Sequence, residues 1–111
     1  MAWYPPDGGE PLKFLRSGHS PDLLRRLRRG YWPVEDELDL HGLNRAQAER
    51  ALDAFLNQVR ARCVRIVHGK GMGVLRETLR AALPARAEVL GFVEAPPAQG
   101  GAGAVLVLLK T

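Results

Sequence analysis

The sequence predicts an α/β protein, a two-layer sandwich in which helices cover a mixed four-stranded sheet. Three observations carry that expectation. Short apolar runs alternate with segments of helical spacing through residues 38–92, so that strand, helix, strand, helix and strand follow one another. The first two runs are joined through a helix and are expected to lie parallel, since such a crossover returns the chain to the edge it left. The last two are separated only by the loop 95–103, which has no room for a helical crossover and makes them antiparallel neighbours.

Residues 1–19 hold three of the eight prolines and no sustained periodicity, and read as an extended or poorly ordered arm. Ser20-Pro21-Asp22 then supplies a capping side chain, a proline for the first helical position and an early acid ahead of Leu23, Leu24 and Leu27, with Gly30 past the last turn. The spacing predicts a short helix. Its Arg25, Arg26, Arg28 and Arg29 serve either as a solvated face or as a grip on a phosphate backbone. Tyr31, Trp32 and Pro33 are expected to pack the arm against the main domain. The organisation is therefore an arm with a short basic helix over residues 1–34 and a domain over 35–111.

Within the domain, alternation from Glu37 to Leu40 puts Leu38 and Leu40 on one face of a strand and Asp39 on the other. Asn44 with Gln47 three positions on forms a capping box, and Leu43 is placed to staple against Ala48. Ala48, Leu52, Phe55, Leu56 and Val59 give the helix its core stripe. Residues Val64 to His68 read as the second strand, broken by Gly69-Lys70-Gly71-Met72-Gly73. Leu75, Leu79, Ala82 and Leu83 mark another helix, ended by Pro84. Glu88 to Phe92 reads as the third strand, and Ala104 to Leu109 is apolar enough to be an inner fourth.

A chain of 111 residues suffices for one core and not for two. It contains no uncharged apolar run of about 18 residues, and its start lacks the basic and then apolar regions of a signal peptide, so a cytoplasmic protein with no membrane partner is expected. Cys63 is the only cysteine, which excludes an intramolecular disulfide and a cysteine-rich metal site. The net charge is +4, and the excess falls beyond residue 37: six basic and six acidic residues precede that point, ten and six follow it. Such a balance favours an anionic partner.

Two histidines in matching positions point to the chemistry. His41 in Leu38-Asp39-Leu40-His41-Gly42 and His68 in Val67-His68-Gly69-Lys70-Gly71 each end an apolar run, stand beside glycine and precede a helix. In an open α/β sheet, ligands bind outside the carboxyl ends of the strands, which is where both fall. Asp39, two residues before His41, is placed either to orient its imidazole, to bind a divalent cation, or to cap the turn as an Asx residue. Gly69, Gly71 and Gly73 free the backbone to cradle a phosphate at a helix start, with Lys70 as a mobile positive charge. Arg76, one turn into the helix, either clamps the same phosphate or lies exposed.

Leu38-Asp39-Leu40-His41-Gly42, His68-Gly69-Lys70-Gly71, Val74-Leu75-Arg76 and Gly100-Gly101-Ala102-Gly103-Ala104 together resemble the Smr domain, the small MutS-related family, in order and spacing over residues 36–111. Leu27-Arg28-Arg29-Gly30 and Val34-Glu35 resemble the lead-in of stand-alone bacterial members. The resemblance implies a four-stranded sheet with helices like the C-terminal domain of translation initiation factor 3, and a nuclease or a structure-selective binder of nucleic acid. It implicates Asp39, His41, His68, Gly69, Lys70 and Gly71, and through the late glycine motif Gly101 and Gly103, which let the last loop approach the site. Met72 and Gly73 lead straight to Val74, a shorter loop than many stand-alone members have and like that of the MutS2-type domain.

The expected function is phosphodiester hydrolysis in nucleic acid, by a DNA-nicking or structure-selective endonuclease in which Asp39, His41 and His68 are catalytic. The alternatives are a ribosome-associated endoribonuclease and a non-catalytic module for branched, hairpin or single-stranded DNA or RNA. On the sequence the roles of His41 and His68 are interchangeable. The cofactor is left open, with a divalent cation such as magnesium or manganese able to assist.

Overall fold

Element boundaries follow local signals in this computed structural model, which describes residues 10–110. The clearest is at Asn44, whose side chain accepts the Gln47 amide at 2.9 Å while Gln47 Oε1 accepts the Asn44 amide at 3.0 Å. That reciprocal cap starts the helix Arg45–Gln58. Earlier, Ser20 Oγ accepts the Asp22 amide at 3.2 Å, and Pro21 already has helical angles ahead of the helix Asp22–Arg29. Gly30, at φ +86°, closes that helix in the left-handed conformation, which costs glycine nothing.

In chain order the elements are β1 (Lys13–Leu15), α1 (Asp22–Arg29), β2 (Asp36–Asp39), α2 (Arg45–Gln58), β3 (Cys63–Val67), α3 (Val74–Ala82), β4 (Val89–Glu94) and β5 (Ala104–Leu109). Two 3₁₀ turns, Pro97–Gln99 and Gly101–Gly103, fill the loop between the last two strands. The sheet runs β1-β4-β5-β3-β2. Only β2 and β3 are parallel; β3–β5, β4–β5 and β1–β4 are antiparallel. The mixed sheet and the inner place of the last strand agree with the sequence reading.

Two expectations are corrected. The sheet has five strands rather than four, because Lys13–Leu15 pairs antiparallel with β4. Part of the predicted arm is thus built into the sheet, while residues 1–9 lie outside the described ones. The molecule also has three layers rather than two. Helices α2 and α3 cover one face, where Val105, Val107 and Leu109 join Leu52, Leu56 and Leu79. Helix α1 covers the other, where Ala104, Leu106 and Leu108 meet Leu24 and Leu27. All six residues of β5 are buried, which is why it reads as a continuous apolar run instead of an alternating one.

Arginines fasten the leading segment. Arg16 donates to the carbonyls of Val89, Pro84 and Arg86 at 2.8–2.9 Å, and Arg76 and Arg80 donate to the Glu10 carbonyl. Cys63 is fully buried, and desolvation with the nearby Glu35 charge pushes its thiol up to about 11, so it is a packing residue and not a nucleophile. Among the described residues no helix is long and apolar enough to cross a membrane.

Candidate active site

The parallel pairing of β2 and β3 brings the two histidines to one edge of the sheet. Asp39 stands opposite Val67 in the register, and the Leu40 amide extends the ladder to the Val67 carbonyl at 2.7 Å. Leu40 turns into the core, fully buried, and anchors the point where the chain leaves the sheet. His41 follows on one strand and His68 on the other. The loops touch: a Cβ placed on Gly69 would lie 3.5 Å from that of His41.

Their environments differ sharply. His41 is exposed, and its Nδ1 lies 2.6 Å from Asp39 Oδ1, which also accepts the His41 amide at 3.0 Å. Asp39 therefore acts as an Asx cap and as the orienter of the imidazole at once. The hydrogen bonds from the His41 ring and amide hold its carboxyl below the ordinary carboxylate range. His68 is 6% exposed. Burial holds its ring below the usual imidazole value, and the nearby Arg76 charge acts in the same direction. A hydrogen bond with the Gly69 backbone opposes this, as a ring N–H donated to a carbonyl does.

The glycines divide the structural work. Gly69 and Gly73 take left-handed angles at φ +82° and +86°, the second at the start of α3. The amides of His68 and Gly69 both donate to the Gly103 carbonyl, at 2.9 and 3.0 Å. These two amides are thus spent on holding the loop, which narrows the predicted backbone cradle to the residues after them. A Cβ on Gly103 would approach Lys70 Cγ at 3.4 Å and Gly69 at 3.6 Å, so the close approach expected of the late motif is present. Gly101 contributes conformation alone, at φ +53° with open space around it. Arg76 departs from the open two-point clamp. At 3% exposure it donates to the Glu10 carbonyl at 2.5 Å and lies 3.7 Å from Glu94, as a buried charge felt by His68.

Sequence reading missed two positioning residues, Arg65 and Gly100. Arg65 donates to the Gln99 carbonyl at 2.7 Å and pairs with Glu37 at 3.0 Å, which fixes the turn leading to Gly103. Gly100, at φ +112°, leaves 2.8 Å between a notional Cβ and Ala104 Cβ, so only glycine passes there. The available signal was a lone arginine in the apolar strand Val64-Arg65-Ile66-Val67.

His41, His68, Gly69, Lys70, Gly71 and Arg76 line a cleft of about 320 Å³ whose outer rim is Met72 and Val74. A larger groove of about 920 Å³ between α1 and β1 shares no lining residue with it and contains neither histidine. Among the described residues no three His, Cys, Asp or Glu side chains are grouped to hold a metal ion. The cleft combines an oriented, exposed imidazole, a buried imidazole and an ammonium, which together can accept a proton, donate one and balance anionic charge.

The Smr domain model matches residues 38–110. Curated relatives include proteins named ribosome rescue factor SmrB, from Serratia proteamaculans at 36% identity over 103 residues and from Pectobacterium carotovorum at 38% over 106. These alignments take in 90% and 93% of this chain but only 58% and 59% of the relatives, so the chain spans less than two thirds of their length. Among solved structures, YdaL from Escherichia coli, described as a stand-alone small MutS-related protein, superposes with a TM-score of 0.82 at 29% identity, covering 92% of this chain and 85% of that one. The Smr domain of Thermus thermophilus MutS2 gives 0.66 at 39% identity, covering 69% of this chain and all of its own. With the family's signature residues gathered on this sheet edge, the chain belongs to the Smr domain family.

Proposed function

We propose that this chain is an endoribonuclease that cleaves by attack of the RNA 2′-hydroxyl on the adjacent phosphate. The carrying observation is the unlike state of the two imidazoles around one cleft, His41 bound to Asp39 at 2.6 Å and His68 buried. His68 favours its neutral form; with one ring N–H on the Gly69 backbone, its other nitrogen is a lone pair that takes the 2′-hydroxyl proton. His41 donates its Nδ1–H to the carboxylate of Asp39, which orients the ring and leaves Nε2–H for the departing 5′ oxygen. The O2′–P bond forms, the P–O5′ bond breaks, and Lys70 balances charge on the phosphoryl oxygens.

RNA replaces the DNA first expected as the favoured substrate because relatives matched over nine tenths of this chain are named for ribosome rescue. The same names support a setting at or near ribosomes. Hairpin RNA with a single 2′-deoxy substitution at the cut nucleotide tests the mechanism: cleavage there is expected to vanish, and persistent cutting rejects the internal nucleophile. Asp39→Asn keeps an acceptor for the turn and removes the charge. It is expected to lower the rate about 100-fold, within the usual range for losing acid–base assistance, with an unchanged circular dichroism spectrum. A wild-type rate for this variant would remove Asp39 from the chemistry.

A further inference from the structure

Beyond the cleft, the loop that carries His68 and Lys70 lifts two apolar side chains into solvent. Met72 is 98% exposed and Val74 57%. So little of Met72 is covered that packing does not account for it, and an apolar side chain held in water forfeits the burial that normally stabilises it. Both residues line the cleft containing His41 and His68, and both also line an adjoining cleft of about 370 Å³ completed by Arg45, Thr78 and Glu77, whose carboxylate is paired with Arg80 at 3.0 Å. Met72, Gly73 and Val74 thus form a ledge between the two. Arg45 is 72% exposed, and its nearest carboxylate, Glu49, is a helical neighbour at 3.7 Å.

We propose that the Met72–Val74 ledge is a base-binding subsite, resting on the cleavage reading above. The unpaired nucleobase next to the phosphate held by His41, His68 and Lys70 lies against the ledge, and Arg45 meets the following phosphate. The order of cation, apolar ledge and cation matches the order of phosphate, base and phosphate along a strand. A thioether is polarisable and contacts aromatic rings favourably, and every base has a π-face, so the subsite accepts any base identity. A base inside a duplex has both faces covered by its stacked neighbours. The ledge therefore selects loops and single strands, and supplies a discrimination that neither histidine provides.

The test compares wild type, a Met72→Ser/Val74→Ser double variant and the conservative Met72→Leu on a fluorescent hairpin RNA. The hairpin carries either its normal bases or an abasic residue at each position flanking the cut. Binding is read by anisotropy and cleavage by gel, with folding checked by circular dichroism. Wild type is expected to bind the abasic RNA at the critical position about tenfold more weakly. The double variant is expected to bind normal RNA about tenfold more weakly and to show no further loss on abasic RNA, with Met72→Leu close to wild type. Normal RNA bound and cut by the folded double variant as by wild type overturns the subsite, and assigns the ledge to something other than a base. An equal abasic penalty in both proteins overturns it too. If wild type binds RNA but cuts none, the cleavage reading fails, while the abasic comparison still decides the ledge.

Discussion

His41 and His68 occupy equivalent places in the chain and opposite places in the solvent. Their positions were legible in the sequence, since each closes an apolar run beside a glycine. Their inequality was not: His68 is buried, feels the charge of Arg76 and has its amide held by Gly103, which arrives 35 residues later, and no local pattern reports what packs over a side chain. That inequality has a pH signature. Protonated His68 cannot accept a proton, so the rising limb of the rate profile is expected at a pH below the ordinary imidazole value of 6.5. The same group links stability to pH. Because the folded value lies below the unfolded one, the unfolded chain binds more protons in the interval between them, and stability rises with pH across it and is flat above about 6.5. Urea midpoints measured between pH 5 and 8 for wild type and His68→Gln test this, the slope being expected to shrink in the variant. An identical slope would show that His68 does not control it.

Helix α2 was the most legible element, because its start is encoded within four residues. Asn44→Ala removes the acceptor for the Gln47 amide and is expected to lower stability by about 1 kcal/mol in a denaturant titration. A change within error would place the helix start elsewhere. Strand β1 was illegible for the opposite reason. Three residues, Lys13-Phe14-Leu15, are too few for a period to appear, and what makes them a strand is the vacant edge of β4 together with the Phe14–Phe92 ring contact at 5.4 Å. The loop before β5 falls between these cases. Its glycines announced a tight path, but its destination is set by Arg65 from β3, a contact spanning 34 residues.

At the scale of the whole molecule, the sequence favoured one covered face of the sheet, and the protein covers both. The strongest hint was already in β5, whose unbroken apolar run leaves no face for water. The second face includes a close approach at Gly91, where a Cβ would come 2.9 Å from the Phe14 carbonyl oxygen and 3.1 Å from Leu24. Gly91→Ala is therefore expected to push β1 and α1 outward while leaving the β2–β3 edge in place. Amide exchange should accelerate in residues 13–29 far more than in 63–67, whereas uniform acceleration would mean that the faces separate only on global unfolding.

The placing of β5 at the centre of the sheet ties the cleft to the closing of the sheet. It follows the other four described strands in the sequence, yet it joins β3 to β4, and the residue before it, Gly103, ties down the loop that carries His68 and Lys70. A chain cut between residues 68 and 103 has both histidines and lacks the Gly103 carbonyl that holds their loop. The cleft on the β2–β3 edge is thus expected to be complete only once the strand that follows Gly103 has slotted between β3 and β4.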